Sequence, residues 1–305
     1  MQGLPCGIST LYSLALCKKM RYNKDMKFYK PKSELYLPYG TDAAAELKRT
    51  THMAVAAHQD DVEIMAFEGI TQAHLKKDKR FCAVVVTDGS GSARDGRYAD
   101  FTDDDMKDIR RREQKNAANL GDYGSLVLLD YTSAEIKDPK DANFGKDLDK
   151  LFALATPEVV YTHNPADKHD THVAVFVKTL AALRALSAAK RPRKVLGCEV
   201  WRGLDWVDDT DKIAMDVSWF DPLSVALLSA FDSQVAGGKR YDLAAEGRRR
   251  ANATFFASHG VDTADKLIFA LDLTPLLNGG DIMDFVLGHI KKFEKDVTDR
   301  LKKFL

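Results

Sequence analysis

One apolar run, residues 80–87, limits the choice of fold more than any other part of the sequence. It reads RFCAVVVT and contains three consecutive valines. Such a run is typical of a strand that is buried on both faces, whereas a strand with one exposed face alternates apolar and polar residues. The run therefore predicts a central strand of a parallel sheet that is covered by helices on both faces.

Strand-like and helical patterns alternate around this run. Further strand-like runs cover residues 51–57, 125–129 and 158–162, and helical patterns separate them. Residues 106–120, for example, carry apolar side chains at helical spacing and are followed by a glycine that can end a helix. The order therefore predicts a Rossmann-like parallel sheet with helices on both faces, which is a three-layer α/β/α arrangement.

The pattern also divides the chain. We expect residues 1–45 to form a partly irregular N-terminal arm and residues 46–305 to form a single α/β domain. Within this domain, the catalytic core covers about residues 50–200 and a C-terminal α+β elaboration covers about residues 201–305. The last helical pattern, residues 281–305, is amphipathic with a lysine-rich side. That side is expected to face solvent, and the alternative is a subunit contact in a homo-oligomer.

Charge and hydropathy restrict the partners. Lysine plus arginine and aspartate plus glutamate each number 45, so the formal net charge is zero. This balance gives no support for a nucleic-acid-binding protein. No apolar run reaches the roughly 18 residues that a membrane-spanning helix needs. We therefore expect neither a nucleic-acid partner nor a membrane span.

The first residues and the cysteines favour a cytoplasmic location. Residues 8–17 form a short apolar patch with a cationic cluster after it. A secretory signal has its positive charge before the apolar core, so export is not expected. Cys82 and Cys198 lie in apolar, strand-like runs, and no CxxC pair occurs. We interpret these two cysteines as core residues in a reducing compartment.

Candidate metal ligands follow the run at residues 51–57. His58, Asp60 and Asp61 stand where this strand ends and a helix begins. In open α/β sheets, ligands bind just beyond the carboxyl ends of the strands. Our hypothesis is that His58 and Asp61, three residues apart in a turn, bind a divalent metal and that Asp60 activates a water molecule.

A second polar cluster follows the run at residues 158–162 and contains His163, His169 and His172. A catalytic zinc takes three protein ligands and keeps one position open, so this cluster is expected to supply the third ligand. His169 and His172 are three apart at a helix start and share a face. A mixed set of histidine and aspartate suits zinc better than magnesium, with Fe²⁺ as an alternative.

These motifs resemble, in the same order, those of the LmbE/PIG-L family of zinc-dependent N-acetylglucosaminyl de-N-acetylases. Residues 57–61, Ala-His-Gln-Asp-Asp, are similar to the family's Ala-His-Pro-Asp-Asp motif. Residues 87–89 are similar to the turn after its second strand, and residues 110–113 to its Arg-x-x-Glu helix. Residues 163–172 resemble its Asn-Pro-x-Asp-x-His-x-x-His segment. The resemblance covers roughly residues 50–200.

The resemblance implies a role for each matching residue. It makes His58, Asp61 and His172 the zinc ligands and Asp60 the general base. His169 would stabilise the oxyanion and protonate the leaving amine, since the ordinary pKa of histidine lies near neutral pH. The implied reaction is attack of a metal-activated water on the amide of an N-acetylated amino sugar or glycoside, which releases acetate.

Other residues are expected around this centre. Arg110, Asp88 and Asn164 are the expected substrate contacts, because a guanidinium suits anionic or polyhydroxyl groups and the other two stand in matching motifs. Trp201 and Trp206 follow a strand-like run. We expect them to pack in the core, and the alternative is that they line a sugar pocket.

Three departures from the family pattern affect the site. The family's acid follows the Asp-Asp pair directly, but here Val62 intervenes and Glu63 comes one position later, so a capping or supporting role of Glu63 is not expected. Gln59 replaces a proline that stiffens the turn, and we expect this change to be tolerated. The family's second motif ends in His-x-Asp-His, but here Asp170 precedes Thr171, so the acid is shifted by one position. Either Asp167 or Asp170 is therefore expected to orient the histidines. The alternative function is a catalytically weakened relative that binds a metal or a sugar.

Overall fold

The computed structural model describes residues 26–91 and 93–305. Within these residues, eight strands form one sheet. The strands are β1 (Glu34–Tyr36), β2 (His52–Ala56), β3 (Phe81–Thr87), β4 (Ser125–Tyr131), β5 (Val159–His163), β6 (Lys194–Cys198), β7 (Lys212–Asp216) and β8 (Leu267–Asp272). Their order across the sheet is β1-β4-β3-β2-β5-β6-β8-β7.

The centre of the sheet is parallel. β4, β3, β2, β5 and β6 pair in parallel with their neighbours in that order. β1, β8 and β7 are added at the two sides through antiparallel pairs. The apolar run at residues 80–87 becomes β3, and every residue of this strand is buried. The predicted Rossmann-like α/β fold is confirmed.

Helices cover both faces of the sheet. The α-helices are α1 (Ala43–Lys48), α2 (Asp61–Met65), α3 (Phe67–Ala73), α4 (Asp103–Leu120), α5 (Ser133–Lys137), α6 (Asn143–Leu154), α7 (Asp170–Ala185), α8 (Asp221–Ser229), α9 (Asp232–Val235), α10 (Tyr241–Phe255) and α11 (Ile282–Lys302). Successive side chains of a strand point to opposite faces. Accordingly, Cys82 and Val84 of β3 join one apolar cluster, and Ala83 and Val85 join the other. These two clusters separate the three layers.

The structure differs from the sequence pattern mainly at short elements. β1 has three residues and lies in the segment that was expected to be an irregular arm. It pairs with β4. α1, which is capped by Asp42, begins in that region. Elements of this length contain too few residues to show a period.

The C-terminal helix α11 lies at the surface. None of the 21 residues of this helix is buried. Ile282 and Phe285 nevertheless pack against the core, whereas Met283, Leu287 and Ile290 are exposed. Among the helices in the described part of the chain, none is long and apolar enough to cross a membrane.

A glycine in α3 permits close packing on β5, and this contact can be tested. A Cβ at Gly69 would lie 2.6 Å from Cε2 of the buried Tyr161 ring. We therefore expect Gly69→Ala to destabilise the fold by about 1–3 kcal/mol through overpacking. Chemical denaturation followed by circular dichroism measures this change in the free energy of unfolding.

Gly145 in α6 provides the matched control. No atom lies within 4 Å of a Cβ built at this position. Gly145→Ala makes the same chemical change in a helix, so it should stabilise the protein by about 0.5–1 kcal/mol. Equal effects of the two substitutions would show that the contact with Tyr161 does not require a glycine.

Candidate metal centre and active site

The two polar motifs meet at one edge of the sheet. β2 and β5 pair in parallel, and His58 and His169 follow their carboxyl ends. The strand order reverses at this pair, because β3 and β4 extend the sheet to one side and β6 extends it to the other. Open α/β sheets form a binding crevice at such a switch point. Residues of both motifs, His58 and His169 among them, line one crevice here.

Side-chain atoms of three predicted ligands converge in this crevice. His58 Nδ1 lies 3.2 Å from Asp61 Oδ2 and 3.1 Å from His172 Nε2. The distance from Asp61 Oδ2 to His172 Nε2 is 3.4 Å. Ligand atoms placed about 2 Å from a tetrahedral zinc are separated by roughly 3.3 Å. The spacing of the three atoms therefore fits a zinc ion.

Charge interactions within this group favour an ionised carboxylate. Burial alone would raise the pKa of Asp61, but the imidazoles of His172 and His58 lower it below its usual value. For His172, burial lowers the pKa, and the carboxylates of Asp61 and Asp167 raise it above its usual value overall. A cation in the crevice would also compensate the charge of Asp61.

Asp167 orients His172 from the other side. Its Oδ2 atom lies 3.5 Å from His172 Nδ1, which leaves His172 Nε2 facing Asp61. The same oxygen accepts hydrogen bonds from the backbone N–H groups of Trp201 and Arg202. The contact is an ion pair and not a hydrogen bond, and carboxylates placed behind metal-ligating histidines in this way orient the ring.

Asp60 stands beside the ligand atoms in a conformation that is unusual for a residue other than glycine. Its φ angle is 89°, in the left-handed region, and its side chain is buried. Among the described residues, no hydrogen-bond partner is found for the buried Oδ2 atom. Burial and the neighbouring Asp61 raise the pKa of Asp60 well above its usual value, although the Arg110 guanidinium opposes this shift. A strained, buried and incompletely bonded carboxylate is the kind of group that catalysis uses.

Gln59 ties the turn before Asp60 to the neighbouring strand. The Gln59 side chain is buried, and its Nε2 atom donates a 2.9 Å hydrogen bond to the backbone oxygen of Thr87 at the end of β3. This bond holds the turn at the position where the family has a stiffening proline.

His169 is held through its Nδ1 atom, which accepts a 3.3 Å hydrogen bond from the backbone N–H of Thr171. A neutral imidazole in this position carries its proton on Nε2. Burial lowers the pKa of His169 to about 4, with a further contribution from the nearby His58 and His172. The ring is therefore neutral at pH 7 and has an N–H group to donate.

His163 lies in the crevice, but its side chain is hydrogen-bonded to the backbone. The possible ligand atoms of His163, Asp61 and His172 all lie within 4.8 Å of one another, so this group could also hold a metal. However, its Nε2 atom accepts a 2.9 Å hydrogen bond from the backbone N–H of Ala57. That atom has no further lone pair for a metal, so we favour the set of His58, Asp61 and His172.

The structure places three expected site residues away from the crevice. Asp170 is exposed in the first turn of α7, next to the positive end of the helix dipole. Asp88 forms an ion pair with Lys107 and accepts hydrogen bonds from Ser90. Asn164 is fully buried and bonds to the backbone of Ala166 and Cys198. The polar atoms of these three side chains are thus directed to solvent or to neighbouring turns.

Above the metal centre is a cavity of about 380 Å³. Its floor includes His58, Asp60 and Asp61. The expected substrate contact Arg110 does line the cavity. So does Trp201, which also packs against one apolar cluster of the core as expected, while Trp206 packs against the other cluster. The cavity is also lined by Lys168, Gln234, Lys239, Tyr241 and Arg248.

A buried network behind the turn was not foreseen from the sequence. Glu63 is fully buried and accepts 2.7 Å hydrogen bonds from Gln114 Nε2 and Tyr123 Oη. Gln114 Oε1 in turn accepts a 3.4 Å hydrogen bond from the backbone N–H of Asp60. Burial raises the pKa of Glu63 to about 7. The only signal in the sequence was an acid two residues after the Asp-Asp pair, and its partners lie far along the chain.

Comparisons with known proteins agree with this geometry. Residues 53–183 match the family model described as PIG-L, GlcNAc-PI de-N-acetylase. The N,N'-diacetylchitobiose deacetylase from Pyrococcus horikoshii is 17% identical, with a TM-score of 0.54 and coverage of 72% of this chain and 83% of its own. The conserved protein TT1542 from Thermus thermophilus is 20% identical, with a TM-score of 0.53 and coverage of 72% and 93%.

The same fold also occurs with another reaction. GalB, the 4-carboxy-2-hydroxymuconate hydratase from Pseudomonas putida, is 16% identical, with a TM-score of 0.54 and coverage of 73% of this chain and 96% of its own. A search of curated proteins finds no significant match. At these identities the structural likeness shows the fold alone, so the activity has to be argued from the site.

The role of the Asp167 carboxylate behind His172 can be tested, with Asp170 as the control. We expect Asp167→Asn to weaken zinc affinity by about 10–100-fold, because loss of the carboxylate behind a ligating histidine has effects of this size. Asp170→Asn removes an exposed carboxylate of the same type and should leave the affinity within a factor of about two. Titration against a chromogenic chelator measures both affinities, and thermal melting checks that both variants are folded. A larger loss for Asp170→Asn would refute the arrangement described above.

Proposed function

Because residues 53–183 form a domain of the PIG-L family, we propose that this protein is a zinc-dependent de-N-acetylase. Its substrate would be an N-acetylated amino sugar or glycoside, and its products acetate and a free amine. The observation that carries the proposal is the convergence of His58, Asp61 and His172 within 3.4 Å of one another. They lie on the floor of a cavity beside the buried carboxylate of Asp60.

The donor set supports zinc as the resident metal. His58, Asp61 and His172 would hold it, and two imidazoles with one carboxylate suit zinc better than an ion that prefers oxygen ligands alone. Fe²⁺ is compatible with the same donors. When bound, the ion would supply a water molecule of lowered pKa and would polarise the amide carbonyl.

Asp60 is the proposed general base. Its Oδ2 atom is free to accept the proton of the attacking water, since no hydrogen-bond partner of that atom is found among the described residues. Burial and the neighbouring Asp61 raise the pKa of Asp60, and a raised pKa makes its carboxylate a stronger base towards the proton of the water. Arg110 opposes this shift and favours the ionised form that starts the reaction.

His169 is the proposed donor to the substrate. Its Nδ1 atom is occupied by the backbone N–H of Thr171, so Nε2–H can donate a hydrogen bond to the developing oxyanion. The lowered pKa of His169 indicates a neutral ring at pH 7, which keeps this proton and stabilises the oxyanion by hydrogen bonding. The leaving amine then takes the proton that Asp60 has accepted from the water, which returns Asp60 to its ionised form.

The alternative is a relative that binds a metal or a sugar but has little activity. It was motivated by the shift of the acid before His172. In the structure, Asp167 lies 3.5 Å from that ring, which supplies the missing carboxylate. This contact favours the active enzyme.

A reducing compartment is also proposed, with the cytoplasm as its location. Cys82 and Cys198 are free and buried, and burial raises the pKa of the Cys82 thiol to about 12. Buried thiols of this kind are inert core residues. The remaining cysteines, Cys6 and Cys17, and the segment considered as a signal lie outside the described residues.

Replacement of Asp60 tests the proposed function. Asp60→Asn keeps the size of the side chain and removes the base, so kcat for acetate release should fall by about 10²–10⁴-fold. Zinc content, measured by elemental analysis, should stay at one ion per chain because the three ligands remain. The substrate would be the compound that the wild-type protein deacetylates fastest in a panel of N-acetylated sugars.

Asp108→Asn is the matched control, because Asp108 is exposed on α4 and lies outside the cavity. It should retain wild-type activity. Full activity in Asp60→Asn would contradict the assignment of the base. Zinc binding without acetate release from any compound would favour the alternative.

A further inference from the structure

The cavity above the metal centre carries an excess of positive charge. Its lining carboxylates are Asp60 and Asp61, both on the floor. Asp61 belongs to the proposed metal ligands, and Asp60 interacts with Arg110. Three more cations, Lys168, Lys239 and Arg248, line the wall.

These three cations have contacts but no ion pair within the described part of the chain. Lys168 and Lys239 lie over the ring of Trp201, with Nζ atoms 5.9 and 5.3 Å from its centroid. Arg248 donates a hydrogen bond to the backbone oxygen of Val200. These three positive charges repel one another. An anion bound in the cavity would be attracted by all three cations and would offset their repulsion.

Trp201 connects this wall to the reacting centre. Its ring lies 6.1 Å from the ring of His169 and 6.0 Å from that of Tyr241, centroid to centroid. Sugar rings commonly present an apolar face that can pack on such a side chain. A substrate whose amide reaches His169 would then have its next substituent beside Lys168 and Lys239.

We infer that the substrate carries an anionic group, a carboxylate or a phosphate, next to its N-acetylated ring. Lys168, Lys239 and Arg248 bind this group, and Trp201 lies between it and the metal centre. The inference rests on the proposed function and adds a requirement for charge to it. Lysine and arginine differ in geometry, but both bind either anion through charge-assisted hydrogen bonds.

Three compounds separate the charge from the rest of the substrate. N-acetylglucosamine is neutral, N-acetylglucosamine 6-phosphate carries a phosphate and N-acetylmuramic acid carries a carboxylate. At low ionic strength we expect kcat/KM for acetate release to be about tenfold or more higher for at least one anionic compound, mainly through a lower KM. The preference should decrease with added salt, because the two lysines are exposed. The better anionic compound identifies the class of anion.

Variants of the two lysines test whether the preference for anionic compounds comes from this wall of the cavity. In the double variant Lys168→Gln and Lys239→Gln, the ratio of kcat/KM for the anionic and neutral compounds should fall towards one. Lys291→Gln is the matched control, since Lys291 is exposed on α11 and lies outside the cavity. It should keep the wild-type ratio. An equal loss in both variants would overturn the assignment to this wall.

Equilibrium binding separates failure of this inference from failure of the proposed function. Calorimetry with zinc-loaded Asp60→Asn protein measures the affinities of the same three compounds without turnover. Acetate release with no difference between neutral and anionic compounds would overturn the anion site and leave the function standing. If the wild-type protein releases no acetate, tighter binding of an anionic compound, lost in the double variant, would still support the site. Equal binding of all three compounds would refute it.

Discussion

The rest of the site depends on the contacts of the Asp61 carboxylate. Its Oδ2 atom accepts a 2.7 Å hydrogen bond from the backbone N–H of His58 and lies 3.4 Å from His172 Nε2. One buried oxygen thereby joins the turn after β2 to the helix that follows β5. A buried carboxylate is costly without compensating charge, so the histidines around it contribute to stability as well as being the proposed metal ligands.

The strained turn is supported from distant parts of the chain. The left-handed φ of Asp60 has to be stabilised by its surroundings, since such conformations cost about 1–3 kcal/mol. Gln114 of α4 holds the backbone of Asp60 from one side. From another side, Arg249 of α10 donates a 2.8 Å hydrogen bond to the backbone oxygen of Glu63. The position of the proposed base is therefore determined by helices that contribute nothing to the metal site itself.

This dependence explains what could be predicted from the sequence. The central strands were predictable because burial on both faces leaves a continuous apolar run, as in residues 80–87. The proposed metal ligands could be named from the sequence because each half of the site is a short local motif at a strand end. The three-residue strand β1 shows no period, and the wall residues Lys239, Tyr241 and Arg248 follow the second motif by more than 60 positions. No local pattern marks them, because only the packing of α10 brings them to the cavity.

The proposed metal ligands and base lie largely in a different part of the chain from the residues of the cavity wall. The proposed metal ligands and the base lie within residues 53–183, the segment that matches the family model. Of the wall residues, Trp201, Lys239 and Arg248 lie beyond it. A solvent-exposed wall can change its charge at little cost to stability, whereas the buried metal centre cannot, because its charges compensate one another. The fold therefore allows the substrate's anionic group to be selected independently of the reaction, by residues of the C-terminal part together with Lys168.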